Sequence, residues 1–111
     1  MPDDGPTASN DVPTRLEQLR REIDELDRRI VSLLNERARK GRDVGREKRA
    51  LGWAAAHDPE REREVLLRVT IANDGPIPQE DLLAIYRRLI DATRGLEDRD
   101  LARDGDGRPP A

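Results

Sequence analysis

The fold is decided by residues 14–51, which read TRLEQLRREIDELDRRIVSLLNERARKGRDVGREKRAL. Apolar residues recur there every three or four positions, the spacing that places them on one face of an α-helix. Thr14 and Glu17 have the spacing of a capping box and predict the helix start, and Gly52 predicts its end. A helix of roughly 38 residues would be about 57 Å long. The apolar stripe consists of Leu16, Leu19, Ile23, Leu26, Ile30, Leu33, Leu34, Val44 and Leu51.

Two shorter helices are predicted after the long one. Asp58 and Pro59 provide an N-cap acid and a proline at the first helical position, and this helix is expected to end at residues 73–76. The third helix is expected to begin near Pro78 and to fray after Glu97. Strict apolar alternation and clusters of β-branched or aromatic residues are missing. The predicted fold class is therefore all-α.

The two ends of the chain differ in composition from the middle. Residues 1–12 and 101–111 are rich in proline, glycine and aspartate and contain little that could be buried. We therefore expect disordered tails on either side of a helical domain at residues 13–100. The start of the chain is acidic where a signal peptide would be basic and then apolar, which favours a cytoplasmic protein.

The bulk composition excludes several classes of protein. The chain has 111 residues and no cysteine, so disulfides and thiolate metal sites are excluded. Its 21 Lys and Arg residues are interleaved with acids to a net charge of −3, which argues against a nucleic-acid-binding surface. No apolar run is long enough to cross a membrane.

The long helix is expected to need a second chain. Helices of roughly 16 and 20 residues are each about half its length, so a single hairpin of them leaves much of its apolar stripe uncovered. A homodimer in which two long helices run side by side would cover the remainder.

Several polar residues fall on faces that are otherwise apolar. Arg37 and Lys48 lie near the centre of the stripe of the long helix, Glu62 lies on the apolar face of the second helix, and Thr93 and Glu97 lie on that of the third. Structural ion pairs or side chains that extend to water would explain any one of them. Together they would replace apolar residues over much of a small core without any gain in stability. A cationic pocket for an anionic ligand explains the whole set.

Four segments carry a family resemblance: residues 19–27 (LRREIDELD), 33–37 (LLNER), 44–48 (VGREK) and 57–62 (HDPERE). In this order and spacing they resemble the helical, AroQ-type chorismate mutases over about residues 15–98. The resemblance extends in particular to the form fused to, or working beside, DAHP synthase, which makes that enzyme a candidate partner. It implies an intertwined homodimer, the conversion of chorismate to prephenate in phenylalanine and tyrosine biosynthesis, and no cofactor.

The resemblance also implies roles for individual residues. Arg37 and Arg61 of one chain, with Arg20 of the other, would hold the two carboxylates of the substrate. Periodicity alone would place Arg20 on the surface, off the centre of the stripe. Lys48 would donate to the ether oxygen, and Glu62 would accept a hydrogen bond from the ring hydroxyl.

The remaining expected site residues are Asp58, Thr93 and Glu97. Asp58 would serve the edge of the site and cap the second helix, and Thr93 replaces a serine common in the family. Glu97 stands where many members have glutamine, so it could donate to the ether oxygen only when protonated. His57, the single histidine, is expected to be a solvated loop residue without a chemical role.

Three alternative functions remain compatible with the sequence. The first is an isochorismate pyruvate lyase with a similar cationic pocket on the same scaffold. The second is a non-catalytic regulatory module that binds prephenate or chorismate. The third is an interaction protein whose long helix is a coiled-coil arm with inward charges that set its register.

Overall fold

A computed structural model describes residues 14–53 and 58–104, which form three α-helices: α1 (Arg15–Ala50), α2 (Pro59–Ala72) and α3 (Gln79–Asp104). No strand occurs in these two ranges, so the prediction of an all-α fold with one long and two shorter helices is confirmed. None of the three helices is long and apolar enough to cross a membrane. The chain divides into two compact units, residues 1–35 and 36–111.

The described part of the first unit is the N-terminal portion of α1. The predicted capping box is present: the Thr14 backbone N–H donates to Glu17 Oε1 at 3.0 Å, and the Glu17 N–H donates to Thr14 Oγ1 at 3.1 Å. The apolar side chains of this portion are all substantially exposed in the single chain, from 38% for Leu19 to 63% for Leu33.

The second unit contains the rest of α1, together with α2 and α3. As predicted, Asp58 caps α2, with Oδ1 accepting from the Arg61 N–H at 3.1 Å, and Pro59 is the first helical residue. Asn73 organises the connection to α3: its amide donates to the Ile77 carbonyl at 3.1 Å and to Gln79 Oε1 at 2.9 Å. These bonds hold α2 and α3 as a packed hairpin.

The C-terminal part of α1 lies close to α3. Gly45 is buried, and a methyl group added to it would lie 3.2 Å from Glu97 Cγ. A methyl group at Gly41 would overlap the Thr93 Cγ2 atom. This close contact cannot be read from the sequence, because on a single helix the two glycines only reduce stability.

The third helix is longer than the sequence predicts. It was expected to fray after Glu97, with a tail from residue 101, but it continues to Asp104. Asp100 in these extra turns is 6% exposed and forms an ion pair with Arg42 of α1. A tertiary contact therefore stabilises a segment whose composition is typical of a helix end. Residues 1–13 and 105–111 lie outside the described residues.

Candidate active site

A cavity of about 270 Å³ lies within the second unit, where all three helices contribute side chains. Its described lining residues are Arg37, Lys40, Gly41, Val44, Lys48, Asp58, Arg61, Glu62, Val65, Ile90, Thr93, Arg94 and Glu97. The structure thus brings seven of the eight predicted site residues together around one space, although they come from separate segments of the chain.

The lining is rich in positive charge. Five of the side chains are cationic and three are carboxylic acids, which leaves an excess of two positive charges when all are ionised. The cations are Arg37, Lys40, Lys48, Arg61 and Arg94, and the acids are Asp58, Glu62 and Glu97. A cavity with this excess is electrostatically complementary to a small dianion.

Two cations of α1 are held by neighbours in other helices. The Arg37 guanidinium carbon lies 5.8 Å from the centre of the Tyr86 ring of α3, within the range of a cation–π contact. Lys48 Nζ lies 3.9 Å from Asp58 Oδ2, and its side chain is only 18% exposed. α1 therefore directs both groups into the cavity, where Tyr86 of α3 and the α2 cap Asp58 lie close to them.

The α2 side chains of the cavity are already engaged in ion pairs. Glu62 accepts a hydrogen bond from the Arg94 guanidinium of α3, and Arg94 also donates to Asp91 at 3.2 Å. Arg61 donates to Glu64 at 3.1 Å on its own helix. A ligand that used the Glu62 carboxylate as an acceptor would share it with Arg94.

Sequence reasoning missed Arg94 and Lys40. Both follow the spacing rule that identified the others: Arg94 is four residues after Ile90, and Lys40 is four residues before Val44. The signal was therefore available in the sequence. The sequence does not show which residues they contact, because Arg94 bonds to Glu62, which is 32 residues away in the chain.

Thr93 lies in the interior of α3 and is buried, with 6% exposure. Its hydroxyl donates to the Leu89 carbonyl at 3.1 Å, so the proton is used within the helix. The hydroxyl oxygen still has a lone pair available for a ligand in the cavity. In this arrangement the Thr93 hydroxyl could act toward a ligand only as a hydrogen-bond acceptor, and its part in the site stays a prediction.

Glu97 stands out among the acids of the cavity. Burial of its carboxyl raises its pKa above the ordinary value, and the negative charge of Asp98 acts in the same direction. The positive charges of Lys48, Arg94 and Arg49 oppose this rise without cancelling it. The structure therefore favours the protonated form of Glu97 more than water would, as a carboxyl acting as a hydrogen-bond donor requires.

Arg20 is the predicted site residue that does not line the cavity. It is exposed on the part of α1 that belongs to the first unit, so its role across a dimer stays a prediction. His57 lies outside the described residues. Within residues 14–53 and 58–104, no three or more histidine, aspartate or glutamate side chains are grouped so as to hold a metal ion.

Comparison with known proteins supplies the family. Residues 19–98 match the family model described as chorismate mutase type II. The chain belongs to this family. The chorismate mutase of Methanocaldococcus jannaschii is 30% identical over 84 residues, which cover 75% of this chain and 84% of that protein. The structure of chorismate mutase (form II) from Thermus thermophilus superposes with a TM-score of 0.73 at 37% identity, covering 78% of this chain and 97% of that one.

Some relatives within the chorismate mutase family are longer proteins. The bifunctional chorismate mutase/prephenate dehydratase of Aquifex aeolicus is 42% identical over 86 residues, or 74% of this chain and 24% of that protein. The chain therefore spans about a quarter of the length of such bifunctional relatives. Their names give a fusion to prephenate dehydratase, whereas the family resemblance implied DAHP synthase.

Proposed function

We propose that this chorismate mutase family chain converts chorismate to prephenate. The observation that carries the proposal is a cavity with an excess of two positive charges, into which Lys48 and an acid with a raised pKa, Glu97, both project. Chorismate is a dianion, and the cavity keeps an excess of positive charge whether Glu97 is ionised or protonated. The family membership of residues 19–98 supports the same reaction.

The proposed reaction is a unimolecular rearrangement. The ether C–O bond breaks while a C–C bond forms, and the electrons redistribute within the substrate without a nucleophile. The protein then has two tasks, to select the folded reactive conformer and to stabilise the negative charge that develops on the ether oxygen. Hydrogen-bond donors fixed in advance serve both tasks.

We assign the carboxylates of the substrate to the arginines. Arg37 and Arg61 of one chain would bind them with planar guanidinium groups, which match carboxylate geometry. Arg20 of the partner subunit would complete the binding. Arg94 adds a cation near Glu62 that the family resemblance did not supply.

The remaining groups are assigned to the ring and the breaking bond. Lys48 would donate to the ether oxygen from one side, and protonated Glu97 from the other. Glu62 would accept from the ring hydroxyl while it retains its bond to Arg94. Asp58 would stay close to Lys48 at the edge of the site. The Thr93 hydroxyl would accept a hydrogen bond from the substrate.

We further propose that the working form is a homodimer with intertwined α1 helices. The described residues include no buried apolar side chain, and the apolar stripe of α1 is exposed in the single chain. Covering that stripe with the same stripe of a second copy would supply the missing core. Light scattering should then give twice the 12.6 kDa mass of one chain.

Two further expectations belong with this proposal. A complex with DAHP synthase and a cytoplasmic location both derive from the sequence alone. Co-purification with the DAHP synthase of the same organism would test the complex, and a single unassociated peak for each protein in a mixture would contradict it.

Turnover by the purified protein tests the central proposal. Incubation with chorismate should yield prephenate, and incubation with isochorismate should release no pyruvate. Release of pyruvate would indicate a lyase on the same scaffold. Binding of prephenate or chorismate without turnover would indicate a regulatory module, and no affinity for either dicarboxylate would indicate an interaction protein.

A further inference from the structure

Arg42 of α1 and Asp100 of α3 form an ion pair outside the cavity. Arg42 Nε donates to Asp100 Oδ2 and Arg42 Nη2 donates to Oδ1, each at 2.9 Å. Neither residue is among the described residues that line the cavity. Asp100 is nonetheless 6% exposed, as buried as Thr93 of the cavity itself. The pair is only partly buried, because the Arg42 side chain is 32% exposed. Such a pair adds little stability beyond what apolar residues of the same size would give, so geometry is the better explanation for its presence.

The ion pair lies where α1 and α3 approach closely. Gly41 and Gly45 flank Arg42 along α1, and a methyl group at either position would press on Thr93 or Glu97. Glycine has no side chain that could interlock with α3. The Glu97 side chain therefore packs against the α1 backbone at Gly45 without an interlocking side chain from that residue.

We propose that Arg42 and Asp100 are positioning residues, which lock the last turns of α3 onto α1 and so set where the Glu97 carboxyl stands in the cavity. The inference rests on the proposed function, because it concerns the donor to the ether oxygen. Asp100 follows Glu97 by three residues, so a movement of Asp100 carries Glu97 with it. A bidentate contact restricts both the distance and the angle between its partners.

The position of Glu97 matters because the groups around it have opposite effects on its pKa. Lys48 and Arg49 of α1 and Arg94 of its own helix favour the carboxylate, and burial and Asp98 favour the carboxylic acid. The other charged residues that line the same cavity are Arg37 and Lys40 of α1, the α2 cap Asp58, and Arg61 and Glu62 of α2. A small displacement of Glu97 among these charges changes its titration as well as its reach to the substrate.

Two substitutions test the proposal. Arg42→Lys keeps the positive charge but removes the planar fork, so any effect reports on geometry. Asp100→Asn removes the charge. The matched control is Asp43→Asn, which removes an exposed carboxylate that pairs with Arg46 at 2.7 Å on the same helix.

We expect Arg42→Lys and Asp100→Asn to lower kcat by about tenfold to 100-fold, the cost of a small misplacement of a reacting group, with KM changed less than about threefold. The midpoint of the kcat–pH profile should also move in Arg42→Lys, whereas Asp43→Asn should change neither quantity. A lower melting temperature alone, with kcat and the midpoint unchanged in Arg42→Lys, would overturn the proposal. If Asp100→Asn fails to fold, the Arg42→Lys variant alone still tests the proposal.

Titration of the Glu97 carboxyl by ¹³C NMR gives a readout that needs no turnover. Its midpoint should differ between the wild-type protein and Arg42→Lys and should agree between the wild-type protein and Asp43→Asn. If the wild-type protein showed no turnover, the proposed function would be contradicted. The titration would then still test the positioning role, because it does not depend on activity. Identical titration curves in all three proteins would overturn that role, whatever the activity.

Discussion

Replacing Glu97 with glutamine is expected to remove the pH dependence of turnover. Glu97 can donate to the ether oxygen only while protonated, whereas an amide donates at any pH. The structure raises the pKa of Glu97 through burial, against the opposing charges of Lys48, Arg94 and Arg49. Above that pKa the protonated fraction falls about tenfold for each pH unit, so kcat should fall by the same factor.

The stability of the protein should follow the same titration. Because the pKa of Glu97 is raised in the folded state, protonation favours folding. That contribution is fully present below the unfolded-state pKa of about 4.3 and is lost as the pH rises through the folded-state value. The melting temperature of Glu97→Gln should therefore rise relative to that of the wild-type protein as the pH increases.

The assay is the rate of chorismate loss from about pH 5 to about pH 9 for both proteins. Glu47→Gln is the matched control, since Glu47 is exposed on α1 and lies outside the cavity. The wild-type protein and Glu47→Gln should lose activity with rising pH, while Glu97→Gln should give a flat profile. Profiles of equal slope in the wild-type protein and Glu97→Gln would refute Glu97 as the donor.

The fold and the proposed site give three more predictions. Lys48→Ala should reduce turnover by about 100-fold to 1,000-fold, because its hydrogen bond strengthens as the C–O bond breaks, and a rate within about threefold of wild type would contradict this. When equal amounts of Arg20→Ala and Lys48→Ala chains are unfolded and refolded together, about a quarter of all sites should be intact if each site draws on both chains. Each variant refolded alone should keep its own low activity. Gly95→Ala, whose added methyl meets open space, should stabilise the protein by about 1 kcal/mol, and Gly41→Ala, whose methyl overlaps Thr93, should be less stable than Gly95→Ala by about 1 to 3 kcal/mol in urea unfolding.

Local signals in the sequence predicted the helices correctly where the physical cause was also local. The capping box of Thr14 and Glu17 and the cap at Asp58 depend on bonds that span three residues, so the sequence contains both partners side by side. The end of α3 was predicted wrongly for the opposite reason. The contact that stabilises its last turns joins Arg42 and Asp100, which are 58 residues apart.

For the site, periodicity indicated which polar side chains project from apolar faces, and the structure brings Arg37, Lys48 and Glu97 to one cavity. Their chemical roles stay predictions. The pairing of Glu62 with Arg94 could not be read from the sequence, because periodicity gives the direction of a side chain from its own helix and no information on what it meets.

The all-α class, the helix starts and the inward direction of the charged residues could be read from the sequence, because helix periodicity and capping act over a few residues. The close approach of α1 to α3 at Gly41 and Gly45, and the rise that burial causes in the pKa of Glu97, became visible only in the folded chain. These properties depend on distances between segments that are remote in the chain. Such distances are fixed when the helices pack, and no short stretch of sequence encodes them.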